Sequence, residues 1–145
     1  MAVTLALDLA RKTGYATEHE SGVVDFGFMP EETLGSKLDR FQQWLYEWTP
    51  LEPTKVICER SHHRGGAATR QAIGMEGLVE LFAHEVEADL EFVHTRTLKK
   101  HATGNGAAKK PEMIAAAIEK WPEIEIEDDN HADALWLLDY EKNGK

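Results

Sequence analysis

Hydrophobic positions follow two periods along this chain. Val3 to Leu9 is a short apolar run with Asp8 near its end, the pattern of a buried strand. Tyr15 to His19 and Val23 to Met29 read as two further strands. Arg11-Lys12-Thr13-Gly14 is the turn before the first of these, and Ser21-Gly22 turns between them. The period then changes. Leu38, Phe41, Leu45 and Trp48 recur at helical spacing, which predicts a helix from Ser36 to Trp48 that Pro50 and Pro53 terminate. Lys55 to Cys58 is a buried-type strand with Glu59 at its carboxyl end, followed by a polar loop over 62–66. A long helix is predicted from Ala68 to Glu87, with Gly74 and Gly77 allowing close packing. A fifth strand runs from Leu90 to His94 and a short helix from Thr95 to His101. Beyond the Thr103-Gly104-Asn105-Gly106 loop come helices from Lys110 to Trp121, with Pro111 in the first turn, and from Asp128 to Tyr140. Three meandering strands followed by alternating helices and strands predict an α/β fold: a mixed five-stranded sheet with helices on both faces. The length of 145 residues suits one domain spanning 1–145.

The sheet pattern gives the acids their interest. Open α/β sheets place ligands at the carboxyl ends of their strands, which is where Asp8 and Glu59 stand. If their strands are parallel neighbours, both carboxylates leave the same edge. Either acid alone would also suit a helix cap or a turn. The last helix adds a third element. Its opening reads Asp128-Asp129-Asn130-His131-Ala132-Asp133. At roughly 100° per residue, Asp129 and Asp133 share one face, with Asn130 beside them. Asp128 points elsewhere and reads as the cap. The helix macrodipole accounts for acids in the first turn but not for Asp133 among small and apolar residues. Carboxylates converging from two strands and a helix make an oxygen-rich site suited to Mg²⁺ or Mn²⁺. Two such ions ~3.5–4 Å apart would activate a water and stabilise the leaving oxygen of a phosphodiester. No zinc-type Cys/His spacing and no Gly-Lys-Ser/Thr phosphate loop occurs.

Charge first argues against a nucleic-acid partner, since the chain carries −10. Its distribution reverses that reading. All 26 acids lie outside two windows, 60–75 and 92–111. Those windows contain Arg60, Arg64, Arg70, Arg96, Lys99, Lys100, Lys109 and Lys110, together with His62, His63, His94 and His101. An acidic body with a local basic footprint is the expectation; a chance unevenness of solvated charge is the alternative. No apolar run approaches the roughly 20 residues of a membrane span, and the amino-terminal stretch lacks the features of a signal peptide. With a single cysteine, Cys58, a reduced cytoplasmic setting is expected.

In order along the chain, these residues form a pattern that resembles the RuvC-type four-way (Holliday) junction resolvases, above all the compact versions carried by bacteriophages. Leu7-Asp8-Leu9-Ala10 with Thr13-Gly14-Tyr15-Ala16 resembles the family's first motif, and Ile57-Cys58-Glu59-Arg60 its second. Leu98-Lys99-Lys100-His101-Ala102-Thr103-Gly104-Asn105-Gly106 with Lys109-Lys110 resembles the Lys-rich stretch and glycine loop. Asn130-His131-Ala132-Asp133-Ala134-Leu135 resembles the closing motif. The resemblance implies an RNase H-like fold, a homodimer, Mg²⁺ dependence and paired nicks leaving 5′-phosphates, in a bacterial or phage-infected cell. It implies metal ligation by Asp8, Glu59 and Asp133, and an approach of Lys99 and Lys110 to the scissile phosphate. The stretch after Glu59 matches a loop that enters the junction centre, where His62 or His63 would stack less strongly than an aromatic wedge. The position three before the last Asp, often an acid or histidine in the family, is Asn130 here. Asp129 is taken as the fourth ligand, with Asn130 as the other choice. DNA contacts are expected from Arg60, His62, His63, Arg64, Arg70, Arg96, Lys99, Lys100, Lys109 and Lys110.

Trp44, Trp48, Trp121 and Trp136 fall at helical packing positions and are read as core or dimer interface. Met75, Leu78, Val79 and Phe82 on the long helix suit either core or a dimer contact. His131 is read as an exposed helix residue. Three other functions compete with junction cleavage. The same site could cut flaps or RNA–DNA hybrids. A catalytically silent junction-binding protein would keep the basic windows but would need no metal. A fragment of a sugar or acetate kinase would explain Asp8 followed by Thr13-Gly14, but the chain is too short for two lobes.

Overall fold

The computed structural model describes residues 2–60 and 65–145. His62, His63 and Arg64, expected to contact DNA, lie outside the described residues. Strands β1 (Thr4–Asp8), β2 (Lys12–Ala16) and β3 (Ser21–Asp25) are followed by helix α1 (Leu34–Tyr46) and a 3₁₀ turn (Thr49–Leu51). Then come β4 (Lys55–Glu59), α2 (Gly66–Glu85), β5 (Asp89–Val93), α3 (Thr95–Thr103), α4 (Lys110–Lys120) and α5 (Asp129–Asn143). The five strands form one sheet in the order β3-β2-β1-β4-β5. β1 pairs antiparallel with β2 and parallel with β4, and β4 pairs parallel with β5. The predicted mixed sheet is therefore present, and the strands bearing Asp8 and Glu59 are parallel neighbours.

Side-chain alternation divides the core in two. Leu5, Leu7, Val56 and Cys58 point to one face and pack with Phe41 and Leu45 of α1 and Met75, Val79 and Phe82 of α2. Ala6, Ile57 and Val93 point to the other and pack with Leu98 of α3, Met113 and Ala117 of α4, and Ala132, Leu135, Trp136 and Leu137 of α5. The small Ala6 and Ala16 let α5 lie close on the strands. Met75, Val79 and Phe82 thus belong to the core and not to a dimer contact. Trp136 is core as well, its indole Nε1 donating to the Met113 carbonyl at 3.2 Å. Among the described residues, no helix is long and apolar enough to cross a membrane.

The meander departs from the sequence expectation in register. Lys12, Thr13 and Gly14 lie in β2, not in a turn. The chain reverses between Asp8 and Lys12, where the Thr13 hydroxyl donates to the Ala10 carbonyl at 2.6 Å and accepts from its N–H at 3.3 Å. The next reversal is at 17–20. There the Thr17 N–H donates to the Glu20 carbonyl, and the Thr17 hydroxyl accepts from the His19 and Glu20 N–H groups. Threonine side chains supply turn hydrogen bonds that a Gly/Pro-based reading does not register. Ser21-Gly22 accordingly belongs to β3 and not to the turn.

Candidate metal centre and its basic rim

The parity that separates the two cores also aims the acids. Asp8 shares the face of Ala6, and Glu59 that of Ile57, so both carboxylates leave the carboxyl edge of the sheet toward α5. Asp128 caps α5, its carboxylate accepting from the His131 N–H at 2.8 Å. This fixes the helix start so that Asp133, on the second turn, faces the sheet edge. One carboxylate oxygen from each of Asp8, Glu59 and Asp133 lies within 4.8 Å of the other two. The three acids line an open cleft of about 330 Å³ together with Leu9, Ala10, Thr95, Lys99, Lys110, Met113, Asp129 and Asn130.

Gly14 makes this convergence possible. It pairs with Asp8 across the β1–β2 ladder, and a Cβ built on it would lie 1.9 Å from the Asn130 carbonyl oxygen. No other residue lets the first turn of α5 rest on β2. Gly14 appears in the sequence only as part of a motif; its role as a seat for the helix needs the three-dimensional contact. Thr95 also lines the cleft; its place just beyond the carboxyl end of β5 meets the same edge rule as Asp8 and Glu59, a signal present in the sequence.

Crowding of acids has an electrostatic cost. Burial, followed by the charges of Glu59, Asp133, Asp129 and Asp128, holds the Asp8 carboxyl well above the usual carboxylate range. Burial and then Glu59 and Asp129 push Asp133 up to about 8, against the opposing pull of Lys99 and Lys110. The Asp133 Oδ1 atom is buried with no hydrogen-bond partner among the described residues. A buried carboxylate oxygen in that condition is costly unless a proton or cation supplies the missing partner. The oxygen-only donor set and the orphaned Oδ1 fit a hard divalent cation such as Mg²⁺ or Mn²⁺.

The remaining expected residues divide clearly. Asp129 lines the cleft but stands outside the tight trio, with its carboxylate 3.6 Å from the Lys110 ammonium. Asn130 also lines the cleft. Lys99 and Lys110 form a basic rim on it. Arg60, Arg96, Lys100 and Lys109 are exposed. The Arg60 guanidinium lies 5.3 Å from the Phe92 ring centroid, while the Arg96 stem packs where a Cβ on Gly106 would fall, 2.8 Å from its Cγ. Arg70 instead lines a separate hollow with Pro30, Glu32 and Lys37. His131 corrects the expectation of exposure. It is 2 % exposed, its Nδ1 accepts from the Glu127 N–H at 3.0 Å, and its Nε2 lies 2.9 Å from the Ser21 hydroxyl. The ring ties the α5 start to β3, a contact across 110 residues of sequence that no helical period can reveal.

Fold and site together define an α/β protein of the RNase H-like arrangement, with an acidic cluster at the carboxyl edge of its central strands. No family model and no curated protein matches the sequence. Among solved structures the chain is similar to RuvC of Thermus thermophilus, with TM-score 0.76 and 18% identity, covering 98% of this chain and 96% of that one. It is similar to the T. thermophilus RuvC in complex with a Holliday junction substrate, with TM-score 0.77 and 18% identity over 95% of this chain and 91% of that one. Fowlpox virus resolvase in complex with Holliday junction DNA is also similar, with TM-score 0.61 and 14% identity over 97% of both chains. The chain has the RuvC fold throughout its length, as its motif order implied.

Proposed function

We propose that this protein is a divalent-metal-dependent endonuclease that cuts branched DNA, four-way junctions foremost, by phosphodiester hydrolysis leaving 5′-phosphates. The observation that carries the reading is the Asp8–Glu59–Asp133 trio, with oxygens within 4.8 Å, set beneath the Lys99 and Lys110 rim. Asp8, Glu59 and Asp133 would hold the cation, with Asp129 as a further ligand once released from Lys110. The bound metal would supply Lewis-acid activation of water and charge stabilisation of the leaving oxygen, two ions being the usual number for such hydrolysis. The chain's own residues do the rest. Lys99 and Lys110 place positive charge where a phosphodiester enters, and Arg60, Arg96, Lys100 and Lys109 extend that charge along the edge. His62, His63 and Arg64 follow Glu59 after Arg60 and Ser61 in the sequence and would meet the junction centre. Two of the similar structures, T. thermophilus RuvC and Fowlpox virus resolvase, are complexes with Holliday junction DNA, which supports the branched substrate.

A homodimer goes with this reading, because a four-way junction offers two equivalent strands and a two-fold pair offers two sites. The outer face of α2 suits the contact. Ile73 and Leu81 are 53% and 45% exposed, and they flank Gly77, whose α-carbon looks onto open space. The deciding experiment is cleavage of a labelled four-way junction beside linear duplex, flap and RNA–DNA hybrid, with Mg²⁺ or EDTA. Metal-dependent paired nicking of the junction, lost in Asp8→Asn, is the expected result. Preference for flap or hybrid would replace the substrate. Tight binding without cutting would leave a silent junction-binding protein.

A further inference from the structure

On the sheet face opposite α5, three aromatic rings meet at an open hollow of about 370 Å³. Tyr15 comes from β2, Trp44 from the last turn of α1, and Trp48 from one turn beyond. The Tyr15 centroid lies 5.8 Å from Trp44 and 5.4 Å from Trp48, with interplanar angles of 58° and 53°. The two indoles are 5.9 Å apart at 84°. Rings inclined at such angles make a concave corner, not a flat stack. Gly22 permits it: a Cβ there would sit 2.8 Å from the Tyr15 hydroxyl oxygen, so the phenol lies across the glycine.

The hollow is completed by Glu20, Glu47 and the apolar Leu51, which is 45% exposed. Both glutamates are exposed, and neither forms an ion pair among the described residues. Glu20 reaches the ring electrostatically: burial, then the charges of Glu20 and Glu127, raise the Tyr15 phenol above its ordinary value. π-faces attract cations, unpaired carboxylates reinforce that attraction, and an apolar wall accepts an aliphatic stem. Phosphate is repelled by the same groups, in a chain whose net charge is −10.

The geometry points to a docking site for a basic protein segment, with an arginine or lysine head seated against the half-buried Tyr15 and Trp44, over the 9% exposed Trp48 as a floor, and held by Glu20 and Glu47. The site faces away from the acidic cleft, so it would recruit a partner without occluding that cleft, and it does not depend on the proposed nuclease reading.

Two-dimensional ¹H–¹⁵N spectra of the full chain test it through the four indole N–H signals. The probes are a short alternating Arg/Gly peptide and tetramethylammonium chloride. The peptide should shift the Trp44 and Trp48 signals saturably and leave Trp121 and Trp136 in place. A Glu20→Gln/Glu47→Gln variant with unchanged thermal midpoint should bind the peptide about fivefold or more weakly, as expected for removal of two rim charges. Absence of saturable shifts, or equal affinity in the double variant, would overturn the proposal. Saturation by tetramethylammonium but not by the peptide would also overturn it, in favour of a small organic cation.

Discussion

Asp133 sits between two demands. Among the described residues its Oδ1 is buried without a hydrogen-bond partner, and burial with Glu59 and Asp129 pushes its carboxyl up to about 8. The unfolded chain would titrate this group near about 3.9. Between those values the folded protein holds a proton that the unfolded chain has released. Metal-free stability therefore falls as pH rises from about 4 to about 8, and the loss is complete above that. Asn mimics the protonated acid, so Asp133→Asn should match wild type at pH 4. At pH 8.5 without metal it should exceed wild type by roughly 1–2 kcal/mol, or about 3–8 °C in thermal midpoint. Adding Mg²⁺ or Mn²⁺ should stabilise wild type at high pH by mass action and leave the variant almost unmoved. A variant less stable than wild type at pH 8.5, or one stabilised equally by metal, would remove Asp133 from the metal site.

At the level of elements, the acids converge because α5 rests on β2 at Gly14. Replacing Gly14 with Ala puts a Cβ 1.9 Å from the Asn130 carbonyl oxygen. That overlap involves backbone on both sides and cannot be relieved by a rotamer. Gly14→Ala should cost about 2–4 kcal/mol in urea denaturation and weaken metal-induced stabilisation. A loss below 0.5 kcal/mol, the scale of neutral surface changes, would mean that α5 does not sit there. The sequence displays Asp8, Glu59 and Asp133 well, because strand ends and helical spacing are local signals. It displays the order of elements for the same reason. Gly14 is misread as a turn residue, since glycine's freedom in turns and its lack of a side chain in packing leave the same letter. The β2–β3 register slips with it. His131 escapes because its partners, Ser21 and the Glu127 N–H, come from elements outside its helix. On α2, period alone names an apolar face without saying what covers it: Met75, Val79 and Phe82 turn inward, while Ile73 and Leu81 stay exposed. If that outer stripe joins two copies, Ile73→Asp/Leu81→Asp should convert a dimer to a monomer in sedimentation velocity while leaving the thermal midpoint within a few degrees. An unchanged sedimentation coefficient in the double variant would place the contact elsewhere.

Across the whole molecule, charge is separated rather than balanced. The net value is −10, yet Lys99 and Lys110 rim the acidic cleft, and Arg60, Arg96, Lys100 and Lys109 are exposed in the two acid-free windows. If the proposed DNA substrate is right, such a body would repel duplex except where the basic residues are presented, which would disfavour misoriented encounters. Affinity should then come mainly from counterion release, with log K falling linearly in log salt by about 0.9 per phosphate neutralised on duplex arms. Lys110 needs separate treatment, because it also pairs with Asp129 at 3.6 Å; its removal would change the proposed metal site as well as the proposed phosphate contact. Lys100 and Lys109 carry no such second role among the described ion pairs. Junction binding measured in Ca²⁺ across a salt series should therefore show a steep slope for wild type. In Lys100→Ala/Lys109→Ala the slope should be shallower by about 2, one unit per lost contact, with metal-induced stabilisation retained. An unchanged slope would mean that these two lysines face solvent in the complex and that the basic edge extends toward Arg60 instead.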